Sequence, residues 1–171
     1  MEYEELRNKK IQTLNFRKAT MSDFDNIIKI FQERMQWFAN NNIKQWSKYL
    51  EHHPKDEFIN SILKERLFVA CDCNQKILGV VELKREDNEF WNDIPNALYL
   101  KKLVTDYRYK EIGSYIINEV KNIAIKNKIE FIRLDCLASN KKLNDIYNSY
   151  GFKLIKSEIK NYHYNLRELK I

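Results

Sequence analysis

The chain has 171 residues, enough for one domain with a sizeable buried core. Hydrophobic residues make up 44% and charged residues 32%, which excludes a disordered chain, and no apolar run reaches the ~20 residues that span a bilayer. The net charge of +6 favours anionic partners, but Lys and Arg are scattered, so a phosphorylated small molecule accounts for the excess as well as nucleic acid does.

Residues 1–10 are charged and lack the apolar stretch of a secretion signal, giving the expectation of a cytoplasmic protein with residues 1–13 as an N-terminal extension. Leu14 to Lys18 reads as a first strand. Ser22 is placed to cap a helix, with Asp23 and Asp25 suited to its positive end. Phe24, Ile27, Ile28, Phe31, Met35 and Phe38 give that helix one apolar face, and Asn40-Asn41-Asn42 breaks it. Pro54 suits a first helical position, and Phe58, Ile59, Ile62 and Leu63 mark a second helix.

Leu67 to Cys73 and Ile77 to Lys84 read as strands joined by the short link Asn74-Gln75-Lys76. Residues 85–96 are polar and form a loop, and Ala97 to Val104 is a fourth strand. Gly113 opens an amphipathic helix carrying Ile116, Ile117, Val120, Ile123 and Ala124. Phe131 to Leu137 is strand again. The next helix opens at Asn140, buries Leu143, Ile146, Tyr147 and Tyr150, and stops at Gly151. Strands over Phe152 to Ile159 and Tyr162 to Arg167 close the chain.

No repeat or linker interrupts this order, so one domain over 1–171 is expected. A three-stranded meander feeding β-α-β implies an α/β fold with a central twisted mixed sheet of seven strands and helices on both faces. Cys71, Cys73 and Cys136 are odd in number and lack zinc or redox spacing, so reduced thiols are expected. His52-His53 has no helical i, i+4 histidine, and no metal site is expected.

The chemistry concentrates between Leu98 and Phe152. A strand ends at Leu103-Val104, passes through Arg108-Tyr109-Lys110-Glu111-Ile112-Gly113, and enters a helix at Ser114. Unpaired N–H groups at a helix start can cradle a pyrophosphate; Arg108 and Lys110 add positive charge, and Gly113 permits close approach. Arg108 and Lys110 read equally as solvated loop charges, Asn140 as a helix cap, and Tyr147 as a core tyrosine.

This segment resembles the central Q/R-x-x-G-x-G/A motif of the GNAT superfamily of acetyl-CoA-dependent N-acetyltransferases, with Arg108 first and Gly113 last. The likeness extends to Asn140 and to Tyr147 through Gly151-Phe152, and covers roughly residues 14 to 167. The motif's first glycine is Glu111 here, whose carboxylate would repel a pyrophosphate unless it turns away. The spacing of Trp37 to Gln45-Trp46, with Arg133-Leu134-Asp135-Cys136, resembles an uncharacterised bacterial subgroup.

The resemblance implies a sheet splayed between the fourth and fifth strands and direct transfer of acetyl from acetyl-CoA to a primary amine, in a small molecule or a peptide. It implies cofactor contacts from Leu103 and Val104, from Arg108 through Ser114, and from Asn140. It makes Tyr147 the donor to the leaving thiolate and a backbone N–H near Leu103 or Val104 the donor to the acetyl oxygen.

The fourth strand has no carboxylate for a base, so Glu82, then Asp135, are the candidates, beside a water chain. Arg133 shares a strand face with Asp135 and is placed to pair with it. Trp37 and Trp46 are candidates for the acceptor pocket, or for core packing. A CoA-binding regulatory module without turnover is the alternative. No nucleic acid or membrane partner is expected, and a homodimer is left open.

Overall fold

The computed structural model describes residues 13–93 and 95–171; the N-terminal extension lies outside the described residues but for Thr13. In chain order the elements are β1 (Asn15–Lys18), a 3-10 turn (Met21–Asp23), α1 (Phe24–Asn40), α2 (Tyr49–His52), α3 (Lys55–Leu63), β2 (Leu67–Cys71), β3 (Ile77–Lys84), β4 (Ala97–Thr105), α4 (Ile112–Lys126), β5 (Phe131–Leu137), α5 (Lys141–Ser149), β6 (Lys153–Ile159) and β7 (His163–Lys170). The strands form a seven-stranded mixed sheet in the order β1-β2-β3-β4-β5-β7-β6, as the α/β expectation required. Strand β4 runs parallel to β5 over Ala97↔Phe131 to Leu100↔Leu134, and β7 is antiparallel to both β5 and β6. No helix among the described residues is long and apolar enough to cross a membrane.

The chain divides into two compact units. The first comprises the chain up to Glu82 together with Lys102–Ile116. Its core gathers Ile27, Phe31, Phe58, Leu67, Val69 and Val80, all fully buried. Phe31 and Phe58 meet edge-on at 5.2 Å, and each ring stabilises the unit by about 1.5–3 kcal/mol through burial.

Helix α1 begins one residue later than Ser22 suggests, because Thr20 and Asp23 form a capping box around the preceding 3-10 turn. The Asp23 carboxylate accepts from Arg17 at 2.7 and 2.9 Å and from the Thr20 N–H at 2.8 Å. The Arg17 bonds dominate; against the opposing effect of burial they hold Asp23 down at about 2. At the other end Asn42 takes a left-handed φ of +55°, and the Ile43 N–H closes on the Phe38 carbonyl at 2.9 Å.

Helix α3 differs from its periodic reading in one respect. Leu63 is exposed and Ser61 is buried in its place, because the Ser61 hydroxyl faces a buried carboxylate. Pro54 is the residue before the helix rather than its first member.

The second unit comprises Leu83–Lys101 and Ile117–Ile171. Helix α5 ends as its sequence indicates, with Gly151 at φ +92°. Its buried positions are Asn144 and Tyr147, whereas Ile146 is exposed, which corrects the expected apolar face. Asn144 repays the desolvation of its amide with a full set of bonds. Its nitrogen donates to the carbonyls of Leu137 and Asn140, each at 2.9 Å, and its oxygen accepts from Asn165 at 2.9 Å and from Arg167 at 3.0 Å.

Candidate functional site

Within the first unit, helix α1 grips the segment that follows β4. Arg34 donates from Nε and Nη2 to the Thr105 carbonyl, and Trp37 stacks on Tyr107 at 5.7 Å. Glu33 accepts from Arg108 at 2.7 Å. Residues 33, 34 and 37 share one face of the helix, so a single rigid element fixes three residues of the loop. Trp37, a candidate for the acceptor pocket, is thus stacked on the loop through Tyr107.

The loop is organised around Asp106, which is 3% exposed. Its carboxylate accepts the Arg108 N–H at 3.0 Å and the Arg108 guanidinium at 2.7 Å on each oxygen. Burial pushes Asp106 up, but the Arg108 bonds outweigh it and leave the carboxyl below its usual range. Arg108, expected to offer charge to phosphate, sits in a forked pair with Asp106 and Glu33. The Tyr109 N–H also turns inward, to the Asp106 carbonyl at 3.2 Å, and the Tyr109 hydroxyl accepts from Lys76 at 3.0 Å.

The start of α4 follows. Glu111 has φ +67°, the left-handed region that favours glycine, which is the residue the motif carries at this position. Its side chain is exposed, as is that of Lys110. Tyr115 N–H closes on the Glu111 carbonyl at 3.0 Å, the first turn of α4, so helix geometry leaves the amides of Ile112, Gly113 and Ser114 without an intrahelical acceptor. Ile112 is 1% exposed and pins that start. A Cβ on Gly79 of β3 would lie 2.9 Å from Ile112 Cγ2 and 2.6 Å from Ile116 Cδ1, so this glycine is what lets α4 approach the strand. The sequence reading did not single it out.

Within β4, Lys102 takes a left-handed φ of +52° beside Leu103 and Val104. The Lys102 ammonium is held by Glu82 at 2.6 Å and Glu57 at 2.5 Å. The other Glu82 oxygen accepts from Ser61 at 2.6 Å, and Glu82 is 1% exposed. Glu82, the expected base, is thus engaged by Lys102 and Ser61. Glu57 continues the chain to His53 Nδ1 at 3.0 Å. Trp46, φ +60°, packs on Tyr49 at 4.5 Å and Phe31 at 5.7 Å as part of the core edge, the packing alternative of its sequence reading.

In the second unit, Tyr147 is buried with its ring edge-on to Phe152 at 5.8 Å. Burial, then Cys136 and Asp135, push its hydroxyl well above the usual tyrosine value. Asn140 caps α5 by accepting the Leu143 N–H at 3.0 Å. Asp135 pairs with Lys101 at 2.5 Å rather than with Arg133, and Lys101 also meets Asp87 at 2.6 Å. Burial lowers Lys101, but the two aspartates outweigh it and keep the ammonium charged. Arg133 instead takes Asp93 and Glu168 and lies 4.1 Å from the Trp91 ring. With its carboxylate held by Lys101, Asp135 is a weak candidate for the base.

Residues 34–169 match the family described as acetyltransferase (GNAT) domain. The chain belongs to the GNAT acetyltransferase family. This GNAT acetyltransferase is 24% identical over 160 residues to an uncharacterized N-acetyltransferase, YesJ, of Bacillus subtilis strain 168, covering 88% of each chain. Its fold is shared by a GNAT-family acetyltransferase of Listeria monocytogenes 4b F2365, with a TM-score of 0.78 at 22% identity, covering 92% of this chain and 95% of the other. It is shared also by the PaiA N-acetyltransferase of Thermoplasma acidophilum, crystallised in complex with coenzyme A, with a TM-score of 0.72 at 22% identity over 94% and 100% of the chains. As a member of this family the chain is an acyl-CoA-dependent acetyltransferase.

Proposed function

We propose that this acetyltransferase carries acetyl from acetyl-CoA directly to a primary amine, with the diphosphate of the coenzyme at the start of α4. The observation that carries this reading is the left-handed turn at Glu111 followed by three amides with no helical acceptor, Ile112, Gly113 and Ser114. Oriented N–H dipoles at a helix start favour a polyanion, and Lys110 adds an exposed cation beside them. The coenzyme A complex of the Thermoplasma relative supports the donor.

The proposed chemistry is an attack of the neutral amine on the thioester carbonyl. Backbone N–H of Leu103 or Val104, next to the left-handed Lys102, donates to the oxygen that becomes negative. Tyr147 donates a hydrogen bond to the departing sulfur. With its hydroxyl raised above the ordinary value, it steadies the thiolate, and solvent supplies the proton. Asn140, already a cap, is proposed to contact the coenzyme's arm with the side-chain capacity left to it.

A regulatory module that binds coenzyme A without turnover is the second reading, favoured by Glu111 at the glycine position and by the engagement of Glu82 with Lys102. Thiol release from acetyl-CoA, followed with dithionitrobenzoate across a panel of amines and peptides, separates the two. Release above the rate without acceptor establishes transfer; coenzyme binding with no release on any acceptor establishes the module.

A further inference from the structure

We infer that His53 is the proton acceptor for the attacking amine, oriented by Glu57; the inference rests on the transfer reading above. Four bonds connect the middle of the first unit to this imidazole. Ser61 donates to Glu82 at 2.6 Å, Lys102 donates to Glu82 at 2.6 Å and to Glu57 at 2.5 Å, and the other Glu57 oxygen meets His53 Nδ1 at 3.0 Å. Exposure rises along the same path: the side chains of Glu82 and Lys102 are 1% and 3% exposed, those of Glu57 and His53 34% and 36%. Within this path Lys102 adjoins the backbone proposed to receive the acetyl oxygen, and the path ends at His53, its most exposed member.

An ionised carboxylate only accepts hydrogen bonds, so Glu57 obliges His53 to carry its hydrogen on Nδ1 and leaves the Nε2 lone pair bare. Glu57 stays ionised: burial pushes it up, but the bonds from Lys102 and His53 outweigh that and hold it below its usual value. No bond to His53 Nε2 forms among the described residues.

The groups facing the imidazole are Glu57 from α3, with Lys102 of β4 and Glu82 of β3 behind it, and the Tyr49 ring of α2 at 4.4 Å. His52 and Glu51, its neighbours in the chain, are exposed. Both Glu82 oxygens are engaged, by Ser61 and by Lys102, which leaves His53 Nε2 as the acceptor this network presents.

The step balances as follows. The amine nitrogen forms its bond to the acetyl carbon, the proton of the resulting ammonium centre passes to His53 Nε2 and then to water, and the C–S bond breaks with its electron pair on sulfur. The thiolate is protonated from solvent, so amide and free thiol are the products.

The test combines kinetics with the resting state of the ring. For His53→Gln, kcat/KM is expected to fall about 100-fold and the acidic limb of the pH profile to disappear, with acetyl-CoA affinity and thermal midpoint unchanged. His52→Gln serves as the control and is expected to match the wild type. Long-range nitrogen-15 NMR of the wild type should show the Nδ1–H tautomer at His53, lost in Glu57→Gln. A His53→Gln enzyme with full rate and an intact acidic limb, or an Nε2–H tautomer at rest, would overturn the base while leaving transfer standing. A wild type that binds no acetyl-CoA would remove both, and is told apart because the heat of binding is then missing in every variant.

Discussion

Lys102 of β4 and Glu82 of β3 form a buried ion pair at 2.6 Å, with side chains 3% and 1% exposed. Two charges with so little solvent persist because each has a second partner: Glu57 for the lysine and Ser61 for the glutamate. Removing one member strands the other. Lys102→Met is expected to cost about 3–5 kcal/mol in urea unfolding, and Lys102→Met with Glu82→Leu to recover most of that loss. Additive costs in the double variant would mean that the two side chains are not coupled as a pair.

Glu111 takes φ +67° without the freedom of glycine, and it brings a negative charge to the start of α4. Glu111→Gly relieves a left-handed conformation that costs about 1–2 kcal/mol and removes the like charge from a diphosphate. Acetyl-CoA affinity is expected to rise about 3–10-fold by calorimetry, a gain of about 1 kcal/mol. Unchanged affinity would show that the carboxylate already points away from the ligand.

Gly79 is the close-approach point of β3 and α4, where a Cβ would press on Ile116 Cδ1 and Ile112 Cγ2 and lie 3.3 Å from the Val104 carbonyl. Gly79→Ala is expected to cost about 1–3 kcal/mol and to weaken acetyl-CoA binding by shifting the helix start. Ile116→Val removes the nearest carbon, so Gly79→Ala with Ile116→Val should regain part of the stability.

The folded state holds the Asp23 carboxyl at about 2, below the ~3.9 of an unfolded aspartate. A depressed carboxyl stabilises the fold fully above the unfolded value and loses that contribution as pH falls through the folded one. The wild type should therefore lose stability between about pH 4 and pH 2 more steeply than Asp23→Asn, which forfeits about 0.5–2 kcal/mol of capping at neutral pH. Equal acid slopes in thermal melts would contradict the Arg17–Asp23 assignment.

Periodicity made the strands and helices legible, because apolar spacing follows directly from burial. Phe31, Phe58, Ile116 and Val120 are buried as their spacing indicates. Polar pairing was not legible in the same way. Arg108 follows Asp106 by two residues, yet its second partner is Glu33, 75 positions away, and nothing local distinguishes a solvated loop arginine from a forked strut. Lys102, Glu57 and Glu82 lie 45 and 20 residues apart, so their network exists only once the strands align. Asn144 escaped for a related reason: a helix-face count ranks Ile146 above it, while its partners Asn165 and Arg167 sit on β7. The pairing of His53 with Glu57, four residues on, was not read from the sequence, because Pro54 separates their helices.

The central claim is that the α4 amides hold a diphosphate. Calorimetric titration of the wild type with coenzyme A and, in parallel, with pantetheine, which lacks the diphosphate, tests it most directly. The account predicts micromolar binding of coenzyme A and at least about 100-fold weaker binding of pantetheine. Equal affinity for the two ligands, or no binding of coenzyme A at millimolar concentration, would contradict it.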